Sequence, residues 1–282
     1  MEVFPRFSSE FACLKGACPR SCCEGWRVVI DGETAEKYVR GGDETSRKAA
    51  KDLRGGKEKH FASANNKCPF LRADGLCEIV CEKGNGFLSE VCDMHPRFFA
   101  QSGEYEFEYF SLSCPAAARL FLRDSLNGGV KYATLGGAEF DAAGFVPCVL
   151  SASLRRLSGS ERENIEDLVV SSLSACSYSS ASIKGKITAF SLDTALGTRL
   201  IDDLFVYCSL AFMRFKRDVF GAAVICALGF ACAYSLYGEL GLCDFSREIE
   251  HDERNVIRLR RLTEGKKGKR ALLPLMINGA KK

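Results

Sequence analysis

An α+β fold, mostly α, is predicted by three observations. Nine of the fifteen cysteines fall within the first 125 residues. Short alternating runs bounded by turn residues recur in that same stretch. Beyond residue 145, apolar residues return at helical spacing. These divide the 282 residues into a Cys-rich metal- or cluster-binding domain with short strands over 1–125, a Gly-rich linker over 126–144, a helical domain over 145–262 and a basic tail over 263–282.

In chain order, Trp26 to Asp31 reads as a strand leaving the first cysteine loop, ended by Gly32. Glu33 to Arg40 reads as a helix with Ala35, Tyr38 and Val39 on one side. Glu44 to Lys59 is polar and helical in character, interrupted by Gly55-Gly56, and His60 to Ser63 reads as a strand. Asp74-Gly75 is a turn signal that folds Phe70-Leu71 back on Leu76-Cys77, so that Cys68 and Cys77 face one site. Ser89 caps a short helix through Cys92, ended by Pro96. Glu104 to Tyr109 alternates acid and aromatic, the pattern of a half-buried strand. Ser113, with Pro115 in the first turn, starts a helix over Cys114 to Arg123. In the helical domain, Ser160-x-x-Glu163 reads as a capping box. Leu200, Ile201, Leu204, Phe205, Cys208, Phe212 and Phe215 form one stripe. Phe220 to Gly238 carries no charge and is near the ~20 residues a membrane span needs. Its Ala, Gly and Cys content and the lack of a second span or an anchoring belt make it a buried central helix.

Charge excludes some functions. The net charge is +3, and the tail carries Lys266, Lys267, Lys269, Arg270, Lys281 and Lys282 with no acid. Without these six the balance reverses sign, so no basic body exists for nucleic acid. The tail reads as a solvated end, with a weak contact to an acidic surface as the second reading. No Gly-rich loop between strand and helix, no nucleophile elbow and no phosphate loop is present.

Four thiols crowd into Cys13 to Cys23 at Cys13, Cys18, Cys22 and Cys23. Such an array binds a soft metal, binds an iron–sulfur cluster or forms disulfides. The odd cysteine count and an N-terminus without an apolar signal region predict a reduced, cytoplasmic chain, against disulfides. The ligand pool is Cys18, Cys22, Cys23, Cys68, Cys77, Cys92 and Cys114, with Cys13 behind them. Cys18 and Cys22, four apart, would point one way on a helical turn, and Cys23 another. Eight thiols suit two tetrahedral sites, or one cluster with structural cysteines around it; spacing alone does not choose zinc from iron. The C-x3-C-x2-C of radical enzymes is absent. Cys148, Cys176, Cys208, Cys226, Cys232 and Cys243 are isolated and read as small core residues. His95 is a candidate ligand or proton carrier beside Cys92, while Arg97 and Arg119 would offset thiolate charge or hold a carboxylate.

These segments together resemble the flagellin lysine-N-methylase family. The resemblance runs through Phe11 to Gly16, Cys18-Pro19-Arg20-Ser21-Cys22-Cys23-Glu24-Gly25-Trp26, Val29 to Asp31, Cys68-Pro69-Phe70-Leu71 and Gly75 to Ile79. It continues at Leu88-Ser89, Cys92, Pro96-Arg97 and Ser111 to Leu120. It implies methyl transfer from S-adenosylmethionine to flagellin lysine ε-amines with an iron–sulfur cluster, favoured here over zinc. The chain departs from the family pattern at Cys81, which is additional, and at His95, where an aromatic is expected. A protonated lysine is not nucleophilic, so a group must take its proton; Asp93, His95 and Tyr109 are the candidates.

Overall fold

A computed structural model describes residues 1–25, 27–62, 67–145, 150–178, 190–198, 200–213, 220–250 and 252–279. Helices dominate, with two small sheets. The chain forms two compact units. One is Ala12–Arg97 with Cys114–Ala116; the other is Met1–Phe11, Phe98–Ser113 and Ala117–Lys282. The cysteine-rich unit is therefore an insertion in the chain of the helical unit, bounded near residues 12 and 97 rather than ending at 125.

The cysteine-rich unit contains β2 (Val29–Ile30), α1 (Gly32–Arg40), α2 (Glu44–Asp52), β3 (Leu53–Arg54), β4 (Lys59–Phe61), α3 (Glu78–Lys83) and α4 (Glu90–Met94). Its sheet runs in the order β2-β4-β3, antiparallel throughout. Trp26 and Ser63 lie outside the described residues, and β2 starts at Val29. Helix α1 forms because the Asp31 side chain accepts from the Thr34 N–H at 2.8 Å. It buries Thr34, Ala35 and Tyr38. Val39 falls past the edge of that arc and is exposed, against expectation. The polar run after Glu44 is helical only to Asp52; Leu53 then turns into a hairpin through Gly55. The core of this unit is Val28, Ile30, Ala35, Tyr38, Ala49, Phe61, Phe70 and Ile79. Cys68, Cys77 and Cys92 pack against it, half-buried.

In the helical unit, β1 (Glu2–Pro5), β5 (Arg97–Ser102), β6 (Tyr105–Phe110), β7 (Tyr132–Thr134) and β8 (Glu139–Phe140) form a sheet ordered β5-β6-β1-β7-β8. Strand β1 sits in the middle, parallel to β6 and antiparallel to β7. The stretch 126–144, expected to be a linker, supplies β7 and β8 to this sheet and buries Tyr132 and Ala133. Its glycines mark the turns around short strands, not a flexible tether.

The helices are α5 (Pro115–Leu126), α6 (Leu150–Arg155), α7 (Gly159–Ser174), α8 (Leu192–Gly197), α9 (Ile201–Phe212), α10 (Phe220–Glu250), α11 (Glu253–Glu264) and α12 (Lys266–Gly279). The capping box of α7 uses Ser158 and Glu161, two residues before the expected pair. The Ser158 N–H and hydroxyl both donate to the Glu161 carboxylate, at 2.8 and 2.7 Å. Helix α9 buries Ile201, Leu204, Phe205, Cys208 and Phe212; Phe215 lies outside the described residues. Val206 and Leu210 of α9 join Val3, Phe107 and Tyr132 of the sheet in one core.

Helix α10 is long and apolar enough to cross a membrane by length and composition. Ala222 to Leu228 are nonetheless buried without exception inside the protein, so the helix serves as a core. It kinks at Gly238, whose φ of 64° L-residues rarely adopt. At Gly229 the ring of Phe245 lies where a Cβ would be, 2.4 Å away. That ring is buried and packed edge-on against Phe230, 4.9 Å between centroids. Gly229→Ala is therefore expected to destabilise the fold by about 1–3 kcal/mol through overpacking, read from the denaturant midpoint. Cys176, Cys208, Cys226, Cys232 and Cys243 are buried as expected; Cys148 lies outside the described residues.

Candidate metal centre

The cysteine loop is built by turns, not by a helix. A short 3-10 turn, Lys15–Ala17, ends at an extended Cys18, and the Cys18 thiol donates to the carbonyl of Arg20 at 3.1 Å. Cys18 and Cys22 therefore do not share a helical face. The Cys23 N–H donates to the Ser21 hydroxyl at 3.1 Å, which fixes the turn holding the vicinal pair. Cys23 does not point away from its neighbours: its thiol is hydrogen-bonded with those of Cys22 and Cys68. The Cys68 N–H donates to the Cys23 carbonyl at 2.8 Å, tying the first cysteine loop to the second.

The expected turn at Asp74-Gly75 is present. Leu71 bridges Cys77, the Arg72 N–H donates to Leu76, and Gly75 takes a φ of 78°. Gly16 backs onto this turn so closely that a Cβ there would lie 2.7 Å from the Asp74 carbonyl oxygen. Cys77 is then delivered at the N-terminal cap of α3, where N–H groups of Val80 and Ile79 face its sulfur. Cys92 sits on α4. The Asp31 carboxylate caps α1 with one oxygen and accepts from the Glu90 N–H of α4 at 3.0 Å with the other. This one residue links the helix bearing Cys92 to the β2–α1 corner.

Five thiols consequently share one neighbourhood: Cys22, Cys23, Cys68, Cys77 and Cys92. The hydrogen bond with Cys22 favours the Cys23 thiolate, but the bond to Cys68, burial and the charges of Cys68 and Cys77 outweigh it and push Cys23 up to about 12. Cys68 gains from the same contact: the Cys23 hydrogen bond holds it below the ordinary thiol value despite burial. Burial pushes Cys92 up to about 11, aided by Cys22, Cys77 and Asp31 and opposed by Ser89. Burial likewise raises Cys77. Each thiolate makes the next costlier, which is the situation a bound cation relieves. The buried Tyr38 closes the floor, its hydroxyl donating to the Phe87 carbonyl at 2.7 Å.

The thiols are neighbours rather than a closed coordination sphere. Among the described residues, no three His, Cys, Asp or Glu side chains stand at metal-holding separation. Cys114 belongs to the same unit and is half-buried. Cys13 and Cys81 are exposed. His95 follows the last turn of α4, half-buried, and Asp93 is exposed on that helix. Arg97 opens β5. Tyr109 and Arg119 lie in the helical unit. Tyr109 is buried between the rings of Phe98 and Tyr207, at 5.7 and 6.1 Å. The Arg119 Nε donates to both carboxylate oxygens of Glu239, at 2.8 and 3.1 Å. Asp31 and Tyr38 were not among the sequence candidates. Asp31-x-x-Thr34 ahead of an amphipathic run was a legible cap, but nothing in the sequence shows its second bond to α4.

A pocket in the helical unit, lined by Leu173, Phe190, Gly229, Cys232 and Phe245 among others, encloses about 30 Å³. That is room for water molecules, not for S-adenosylmethionine.

Part of this chain is similar to known proteins. A lysine-N-methylase of Salmonella typhimurium is 30% identical over 151 residues, which is 51% of this chain and 38% of that protein. A second, from Salmonella choleraesuis, is 29% identical over the same extent. The flagellar biosynthetic protein FliU of Salmonella muenchen is 32% identical over 128 residues, covering 43% of this chain and 76% of FliU. The chain belongs to the flagellin lysine-N-methylase family. It spans well under half the length of the two lysine-N-methylases it matches. No protein-family model and no solved structure matches this family member.

Proposed function

We propose that this member of the flagellin lysine-N-methylase family transfers methyl from S-adenosylmethionine to lysine ε-amines of a protein substrate, flagellin in the first instance, with a metal centre in its cysteine unit. A cytoplasmic setting, which keeps thiols reduced, goes with this reading. The observation that carries the metal assignment is the convergence of Cys22, Cys23, Cys68, Cys77 and Cys92 from two loops, the cap of α3 and helix α4. Their chemistry fits a soft metal: all donors are sulfur, half-buried or at the surface, and packed on one apolar core. These five, with Cys18 and Cys114 in reserve, would hold an iron–sulfur cluster in preference to zinc. When bound with one open iron, such a cluster supplies a Lewis-acidic site for the amino and carboxylate groups of S-adenosylmethionine.

The chain's own residues would do the rest. A lysine ε-amine has a pKa of about 10.4 in water and must lose a proton before it attacks. His95 and Asp93 stand one turn or less from Cys92 and are the groups we assign to that proton. Tyr109, enclosed by aromatic rings, is the weaker candidate. Arg97 and Arg119 are both assigned to a substrate carboxylate; Arg119 would have to leave Glu239 to reach one.

A second reading is favoured by the span of the match, 38% of each lysine-N-methylase. The chain would then be a non-catalytic zinc or iron module for partner binding or electron transfer. Calorimetric titration of the metallated protein with S-adenosylmethionine separates the two: binding supports the methylase, and none leaves the module. Anaerobic purification is expected to give a brown protein with iron and sulfide in equal amounts and a broad visible absorption band. Colourless protein with stoichiometric zinc and no sulfide would remove the cluster from the proposal.

A further inference from the structure

The last helix carries a surface that methyl transfer does not use. Helix α12 packs one side against α6, α7 and α11. On that side Gly268, Leu272 and Leu275 are buried, and a Cβ at Gly268 would overlap the backbone of Thr263 at 2.5 Å. The seating of the helix is therefore fixed, and its other side is committed to the exterior. Residues three and four apart share a helical face. Lys266, Lys269 and Arg270 recur at that spacing in the first half, and Leu273, Met276 and Ile277 continue it in the second. All six are exposed. The three large apolar side chains are each about half accessible, at 52%, 51% and 50%. Leu262, at the end of α11, is a further exposed apolar residue.

We propose that this face is a peripheral docking surface for an anionic lipid bilayer. Two features select that occupant. The charge is of one sign: from Gly265 to Lys282 the chain has no acidic residue, so nothing on α12 neutralises the lysines and the arginine. The apolar row is carried on a convex helix rather than in a groove, which suits a fluid, flat surface better than a partner helix. A basic amphipathic helix lies in the interface with its apolar side chains among the acyl chains. Its lysine and arginine stems reach the headgroups from the same face by snorkelling. Neither half suffices alone: three apolar side chains give shallow insertion, and three charges give attraction that salt screens. Together they make binding reversible and dependent on negatively charged lipid. This is not a span, and it does not involve α10, whose run Ala222 to Leu228 is buried in the protein core.

Co-sedimentation of the full chain with vesicles tests this. Phosphatidylcholine vesicles and phosphatidylcholine–phosphatidylserine vesicles are compared for the wild type and two variants. One variant is Leu273→Glu with Ile277→Glu; the other is Lys266→Glu, Lys269→Glu and Arg270→Glu. All these positions are exposed, and circular dichroism and the melting curve check that each variant folds. The expected result is binding to the phosphatidylserine vesicles, little to phosphatidylcholine alone, and a fall in high salt. The charge variant should bind weaker by on the order of a hundredfold, at roughly fivefold per charge. The apolar variant should lose at least about tenfold. Absence of binding to both vesicle types overturns the proposal, as does equal binding to both or binding that neither variant changes. So does a wild-type dimer that Leu273→Glu with Ile277→Glu converts to a monomer, because the face would then belong to a second copy of the chain.

Discussion

Cys22→Ala is expected to lose bound metal and methyl transfer together. Cys22 occupies the turn that also carries Cys23, and its thiol interacts with those of Cys23, Cys77 and Cys92. It is itself exposed, so its removal leaves no core cavity and should spare the fold. That separates a chemical loss from a structural one. Iron and sulfide content, the visible spectrum and methylated lysine by mass spectrometry are the three readouts. His95→Ala is the companion variant. It should keep iron, sulfide and spectrum while turnover falls by at least about a hundredfold, the usual contribution of a positioned acid or base. Full methyl transfer by Cys22→Ala would show that the thiols take no part in the reaction. Full turnover by His95→Ala would move the proton to Asp93.

Asp31→Ala is expected to act on both stability and metal retention. Its two carboxylate oxygens satisfy N–H groups at the first turns of two helices, α1 and α4. A lost cap typically costs about 1 kcal/mol, so two should cost about 2 kcal/mol. The second effect follows from position: Glu90 is two residues from Cys92, and releasing it loosens the helix that carries that thiol. Residues that orient metal ligands commonly alter affinity about 10–100-fold. A chelator competition assay measures this, and Asp31→Asn gives the control. The amide keeps one acceptor oxygen, so one cap should survive and the loss of metal should be partial. Equal metal affinity in wild type and Asp31→Ala would confine Asp31 to helix capping.

Much of the cysteine unit was legible because its signals are local. Asp74-Gly75 between apolar pairs specifies a turn by itself, and the turn alone brings Cys77 back toward Cys68. The buried cysteines after residue 150 were legible from their isolation in apolar runs. What failed was of three kinds. The helical face inferred for Cys18 and Cys22 assumed a helix where Pro19 and the Ser21 side chain favour turns. The Gly-rich stretch 126–144 was read as a tether because its strands are only three and two residues long. The partner of β7 is β1, more than a hundred residues away, and no local window contains it. The capping box at Ser158 shows a third, smaller failure: two serines two residues apart offer the same motif, and only packing chooses between them. The double role of Asp31 belongs with the sheet, since its second partner is 59 residues downstream.

The place of β1 in the middle of the helical unit's sheet has a consequence for biogenesis. Synthesis makes residues 2–5 before the whole cysteine insertion, and their neighbours Glu106 and Phe107 only after it. Closing that pair confines a loop of about a hundred residues, an entropic cost that grows slowly with length but must be met before the contact rewards it. An insertion folded around the proposed cluster would behave as a shorter effective loop than an unloaded, open one. On the proposed function, supply of the cluster during translation would then govern the yield of properly assembled helical unit. Cells starved of iron or sulfide should accumulate chains whose first strand never finds its slot, which are the chains that proteases and aggregation remove first.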